Sequence, residues 1–189
     1  MRHATARNDM CGFGSASFLA AQLLVADGAV DEAKMLLERA TRRVTARDRF
    51  AWSLLHTGLA ELNVAHELDV HAGEQRAQRL WLGHDGSPRF VSAFASRMAR
   101  ASLQAGVPER AIAWAQRAET AAHAAGHTVR WRAAIAMRCL ALADLQHLDE
   151  AGLCIGIALA APGNLDPRVL RAAAVLDRCH NDLVGARDL

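Results

Sequence analysis

Four stretches share one plan: Gly28-Ala29-Val30-Asp31-Glu32-Ala33, Glu67-Leu68-Asp69-Val70-His71-Ala72, Gly106-Val107-Pro108-Glu109-Arg110-Ala111 and Gln146-His147-Leu148-Asp149-Glu150-Ala151. Aligned on the closing alanine, they recur at intervals of 39, 39 and 40 residues. A fifth, Asn181-Asp182-Leu183-Val184-Gly185-Ala186, follows after 35. A period of this size marks a stacked helical repeat. Each stretch reads as the turn between two helices. Gly28 and Gly106 fall where a first helix stops, because glycine accepts the left-handed conformation that caps it. Asp31-Glu32 and Asp149-Glu150 then place carboxylates at the positive end of a second helix.

Other columns keep the same register. Twelve residues before the anchors stand Ala21, Ala60, Ala99, Cys139 and Ala174. Seven after them come Ala40, Ala118 and Ala158, with Arg79 breaking the rule in the second repeat. Twenty before the first four are Phe13, Trp52, Val91 and Trp131. Small side chains at fixed offsets let two helices approach closely, and bulky ones fill the space between pairs. Ser87-Pro88 and Asp166-Pro167 each read as a capping side chain followed by proline at the first helical position. The predicted helices are 14–27 with 31–46, 48–66 with 70–82, 88–105 with 108–125, 128–146 with 149–161, and 167–180 with a remnant from 182. Residues 1–12 read as a flexible leader, with Ser15 capping the first helix. Residues 13–189 read as about four and a half repeats. A loop, Gly83-His84-Asp85-Gly86-Ser87, separates the second repeat from the third.

The composition agrees. The chain has 189 residues, 52% of them hydrophobic and 22% charged, with 41 alanines, 24 leucines and only 4 prolines. That length suits one domain or one short array, and the residue usage favours helix throughout. The expected class is all-α, a right-handed α-solenoid of antiparallel helix pairs with a 39–40-residue period. A compact bundle of the same helices is the alternative. It would not require the register.

Several function classes are excluded or weakened. The net charge of +2 advertises no nucleic-acid partner. Lys34 is the only lysine and follows no glycine loop, so there is no P-loop. The N-terminus lacks the apolar stretch of a signal peptide, and no run suits a membrane span, so a cytoplasmic location is expected. Cys11, Cys139, Cys154 and Cys179 form no C-x-x-C pair and read as small hydrophobes in a reducing compartment. His123 and His127 have metal-ligand spacing, but Gly126 interrupts them at a helix end. Adjacent Cys179 and His180 diverge on a helix, and Gly12-Phe13-Gly14-Ser15 has neither the spacing nor the preceding strand of a nucleophile elbow. No catalytic residue, cofactor site or metal site is expected. Arg39, Arg42, Arg43, Arg47 and Arg49 make the densest basic stretch, read as a solvated face. Trp52, Trp114 and Trp131 read as core, and Trp81 as the tryptophan best placed for an exposed contact.

The pattern small–x6–Gly/Asx–x4–Ala–x6–Ala resembles the tetratricopeptide repeat, whose usual length of 34 residues is exceeded here by about one helical turn per pair. Stretched, Ala/Arg-rich repeats such as Ala111-Ile112-Ala113-Trp114-Ala115-Gln116-Arg117-Ala118 are similar to the helical-repeat region of large bacterial LuxR-type transcription regulators. The resemblance implies a non-enzymatic module for protein or peptide interaction, as the interaction or sensor segment of such a regulator. It implies a concave partner face that includes Gln22, Thr57, Glu61, Ser96, Arg100 and Gln104. A free-standing scaffold and a small-molecule-binding helical domain are the alternatives. The regulator's ATPase and helix-turn-helix are not in this sequence, and the array stops within its fifth pair. Val175, Leu176, Cys179 and Leu183 would then leave an apolar stripe on the last helix. Homodimerisation through 170–189 is expected from it.

Overall fold

The computed structural model describes residues 2–45, 47–66, 72–73, 75–76, 79, 87–162 and 166–187, with side chains described between Met10 and Asn181. Among them all regular structure is helical. The chain divides into two compact units, Met1–Gly83 and His84–Leu189, meeting within the loop read between the second and third repeats.

The first unit holds α1 (Arg2–Ala26), α2 (Val30–Arg43) and α3 (Arg49–Ala65), each packed on the other two. Its core gathers Phe18, Ala33, Leu37, Leu55 and Leu59. Two expectations fail here. Residues 2–12 belong to α1, and Ser15 stands inside that helix, not at its start. Gly14 serves a close helix crossing. A Cβ built on Gly14 would lie 2.6 Å from the Ala51 Cβ, so α1 crosses α3 where only glycine fits. The helix predicted over 70–82 lies largely outside the described residues, although 72–73, 75–76 and 79 have helical backbone. There the buried residue is Gly73, whose missing Cβ would meet Val64 at 2.9 Å and the Ala60 carbonyl oxygen at 3.2 Å. Ala72 is half-buried, so the anchor alignment is displaced by one position in this repeat.

The second unit holds α4 (Pro88–Gln104), α5 (Pro108–Ala124), α6 (Thr128–Asp144), α7 (Leu148–Ala160) and α8 (Pro167–Arg187). Consecutive helices pack together, and α6 also packs on α4 and on α8. Left-handed residues at Gly106, Gly126 and Gln146 end α4, α5 and α6 at twenty-residue spacing, as Gly28 ends α1. At each, the next amide reaches back to a carbonyl five residues earlier: Val107 to Ser102, His127 to Ala122, and His147 to Leu142, all at 2.9 Å. This is the Schellman closure, which satisfies carbonyls left over at a helix end. Short connections of this kind set neighbouring helices antiparallel.

The alanine columns are buried over most of the chain. Ala33, Ala111 and Ala151 are fully buried, as are Ala99 and Cys139 twelve residues before the last two. Ala174, in the fifth repeat, is exposed. The expected caps divide. Asp166 receives the Arg168 amide at 2.8 Å and caps α8, whereas Ser87 makes no side-chain cap bond to α4. Burial raises the pKa of Asp166, but hydrogen bonds from the Arg168 side chain and backbone, with the charges of Arg168 and Arg132, outweigh it and hold the carboxyl below its usual range. Arg132, only 1% exposed, donates to the Ala161 carbonyl and ties α6 to the connection before α8. The last helix runs unbroken to Arg187, with no break at 181.

Candidate functional site: an arginine-lined groove

Helices α4, α6 and α8 together line a groove of about 700 Å³ in the second unit. Its apolar lining is Ala93 and Leu103 from α4, Ala133, Ala136, Met137 and Leu140 from α6, and Val175 from α8. Five arginines join them: Arg97, Arg100, Arg130, Arg168 and Arg171. Among the described residues of the lining, Asp144 is the one carboxylate. Residues three and four apart share a helix face, so Ala93, Arg97, Arg100 and Gln104 come to one side of α4. The same spacing brings Ala133, Ala136, Met137 and Leu140 to one side of α6.

Arg130 and Arg168 are each held by a neighbouring group. The Arg130 Nη1 donates to the Arg89 carbonyl oxygen at 2.6 Å, across from α6 to α4, and this neutral partner leaves its charge uncancelled. Arg168 grips Asp166 through two bonds of 3.0 Å, from Nε and Nη2. A guanidinium offers a carboxylate or phosphate group both charge and a fork of donors.

The six residues expected on a partner face separate. Ser96, Arg100 and Gln104 line this groove, Ser96 half-buried and the other two exposed. Gln22, Thr57 and Glu61 belong to the first unit. Gln22 is half-buried, while Thr57 and Glu61 are 4% and 7% exposed. The Thr57 hydroxyl donates to the Ser53 carbonyl at 2.7 Å, one turn back along α3. It is satisfied within its own helix and is not offered outward. The groove's other arginines were not singled out in the sequence. The signal that finds them is their spacing on three alternate helices, Arg97 and Arg100 on α4 and Arg168 and Arg171 on α8.

The remaining candidates lack a convergent arrangement. His123 is exposed at the end of α5, and His127 precedes α6 across the left-handed Gly126. Among the described residues no group of three metal-binding side chains comes together. All four cysteines are free. Burial pushes the Cys139 thiol up to about 11, helped by Cys154 and Cys179, which the fold brings into the same core. Burial also raises Cys154, against the nearby Arg138 charge. Both thiols are protonated at neutral pH and weak as nucleophiles. Arg138 pairs with Glu119 at 3.1 Å, and burial raises the Glu119 carboxyl despite that pairing. Arg39, Arg42, Arg43, Arg47 and Arg49 are exposed, with the Arg43 guanidinium 5.9 Å from the Phe13 ring. Trp114 is 7% exposed and packs edge-on to Phe94, whereas Trp52 and Trp131 are half-buried. Trp81 lies outside the described residues. No described helix is long and apolar enough to cross a membrane.

Compared with known proteins, the chain matches no family model, no curated protein and no solved structure.

Proposed function

We propose that the chain is a non-enzymatic, tetratricopeptide-like repeat module, a right-handed α-solenoid that binds a protein or peptide in the α4–α6–α8 groove. One observation carries this reading. Ser96, Arg100 and Gln104, three of the six positions that the tetratricopeptide resemblance assigns to a concave face, line a single groove built by alternate helices. Stacked helix pairs present their first helices side by side on the concave face, and here α4, α6 and α8 are those helices. The twenty-residue spacing of the left-handed turns at 106, 126 and 146 supports a period of about 40.

Within this proposal the module is the interaction or sensor segment of a cytoplasmic bacterial LuxR-type regulator, on the strength of the Ala/Arg-rich repeat resemblance. Association of copies through 170–189 is a further part of it. The half-exposed Leu170 supports that contact.

A photo-crosslinking amino acid placed at Ser96 or Gln104, and separately at exposed Glu109 and Leu153, tests the groove in cell extract. Adducts concentrated at Ser96 and Gln104 support it. Adducts from Leu153 with none from the groove would overturn it.

A further inference from the structure

We propose that the outward face of α7 is a self-association surface, on which the α7 of a second copy packs antiparallel. The inference does not depend on the groove of α4, α6 and α8. The preceding second helix supplies an internal reference. Residues 111–120 of α5 and 151–160 of α7 share one burial pattern, except that Leu159 is exposed where Glu119 is half-buried. At the exposed positions α5 holds Ala113, Gln116, Arg117 and Thr120, and α7 holds Leu153, Gly156, Ile157 and Ala160. In α2 the last three of these positions are Glu38, Arg39 and Arg42. Two helices equally open to water should carry similar polarity there. Instead α7 has no charged, amide or hydroxyl side chain from Ala151 to Ala161, and Leu153 and Ile157 are 71% and 51% exposed. An apolar face where the other second helices are polar marks a contact surface.

The glycines specify the kind of contact. A Cβ on Gly156 would meet nothing within 4 Å, and one on Gly152 only the Leu176 Cδ2 at 4.0 Å. Alanine would fit the single chain at both places, and it is preferred to glycine in a helix interior. Gly152, Gly156 and Ala160 leave a shallow strip along the helix, one turn apart. Beside it Leu153 and Ile157 form a ridge with the same spacing. Ridges of this spacing pack into matching grooves on a facing helix. Ridge and strip are adjacent on one helix, so a two-fold axis seats each ridge in the other copy's strip. An identical helix supplies both halves at once.

Charge sets the direction. Asp149 and Glu150 open α7 and are exposed. A parallel pair would set them against their copies. An antiparallel pair separates them by the length of thirteen residues, roughly 20 Å at about 1.5 Å each, and opposes the two helix dipoles. An adjoining crevice of about 250 Å³, with Ile112 and Leu142 in its lining, extends the apolar surface towards α5. A helix pair roughly 20 Å long and about 10 Å wide covers only part of the roughly 800 Å² per partner of a standard interface. The dimer is therefore weak and concentration-dependent.

Sedimentation velocity of the full chain across a dilution series tests the proposal, and a monomer–dimer equilibrium is expected. Gly156→Gln and Ile157→Arg give α7 the residues that α5 holds at those positions, and each should weaken dimerisation at least about tenfold. Gly156→Gln places its side chain in open space, so its thermal melt should match or exceed that of the wild type. A lost contact is thereby separated from a lost fold. Leu170→Gln on α8 is the comparison and should leave the α7 dimer intact. A photo-crosslinker at Leu153 should give an adduct of twice the chain's mass. A chain monomeric throughout, dimerisation unchanged in both α7 variants, dimerisation lost in Leu170→Gln alone, or Leu153 adducts only with other proteins would overturn the proposal. The groove stands or falls separately, on crosslinks from Ser96 and Gln104.

Discussion

Replacing Gly14 by alanine sets two opposed effects against each other within one helix. Alanine is favoured over glycine in a helix interior by about 1 kcal/mol. At Gly14 the new methyl would stand 2.6 Å from the Ala51 Cβ and 3.1 Å from its Cα. Carbon atoms in contact sit at about 3.5–4.0 Å, so α1 and α3 must part by roughly 1 Å. Ala51 has no rotamer with which to yield. Overpacking of this kind costs about 1–3 kcal/mol, which outweighs the propensity gain. Gly12→Ala supplies the control, because a Cβ there meets nothing within 4 Å. The propensity term is common to both substitutions and cancels in their difference. Gly14→Ala should therefore be less stable than Gly12→Ala by about 1–3 kcal/mol, or roughly 2–12 °C in Tm for a chain of this size. Urea and thermal unfolding followed by helical circular dichroism measure it. Equal stabilisation by the two alanines would refute the close crossing of α1 and α3.

Three further outcomes are expected. Ala111→Arg forces a charge into a fully buried helix contact and should cost more than about 3 kcal/mol, whereas Arg42→Ala on the exposed end of α2 should change stability by less than about 0.5 kcal/mol, as paired thermal melts would show. Gln146 holds a left-handed φ of 61°, so Gln146→Gly should stabilise by about 0.5–1 kcal/mol in urea unfolding, the strain relieved exceeding the added chain entropy. Burial, with the charges of Arg76 and Arg79, lowers His56 to about 4, so between pH 6.5 and 4 the unfolded chain binds the extra proton and stability falls as pH drops. In that window His56→Gln should flatten the slope of stability against pH, and an unchanged slope would show that His56 is not responsible.

The parts of the fold legible in the sequence are those where one residue type has one physical meaning. Gly28 and Gly106 mark left-handed helix ends because glycine enters that region without strain. Gln146 makes the same turn and is invisible as a residue type. It was placed only by its distance from Ala151. Gly14 shows the reverse: it stood out only within Gly12-Phe13-Gly14-Ser15 as a glycine-loop pattern, whereas it permits a close helix crossing. In an Ala-rich chain a one-residue displacement leaves an alanine column looking intact, which is why Ala72 stood where Gly73 does the packing. The groove was half legible. Ser96, Arg100 and Gln104 follow from the tetratricopeptide resemblance. Its arginines do not follow from a net +2, because a sum over the chain says nothing of which helix face gathers them.

In the second unit each helix packs on helices one or two places along the chain. Every such contact closes a short loop, the longest spanning about two helices and their turns. Ordering the chain for the next contact therefore costs little once the previous pair has formed, since loop-closure entropy grows with the length enclosed. Chains dominated by contacts of this range fold fast. They need no single nucleus that joins distant segments, and a helix pair emerging first during synthesis can fold before the rest exists. The contacts of α8 with α6 and α7 can be lost while those of α4 with α5 and of α5 with α6 remain, so the groove wall that α8 builds can open without unfolding the rest.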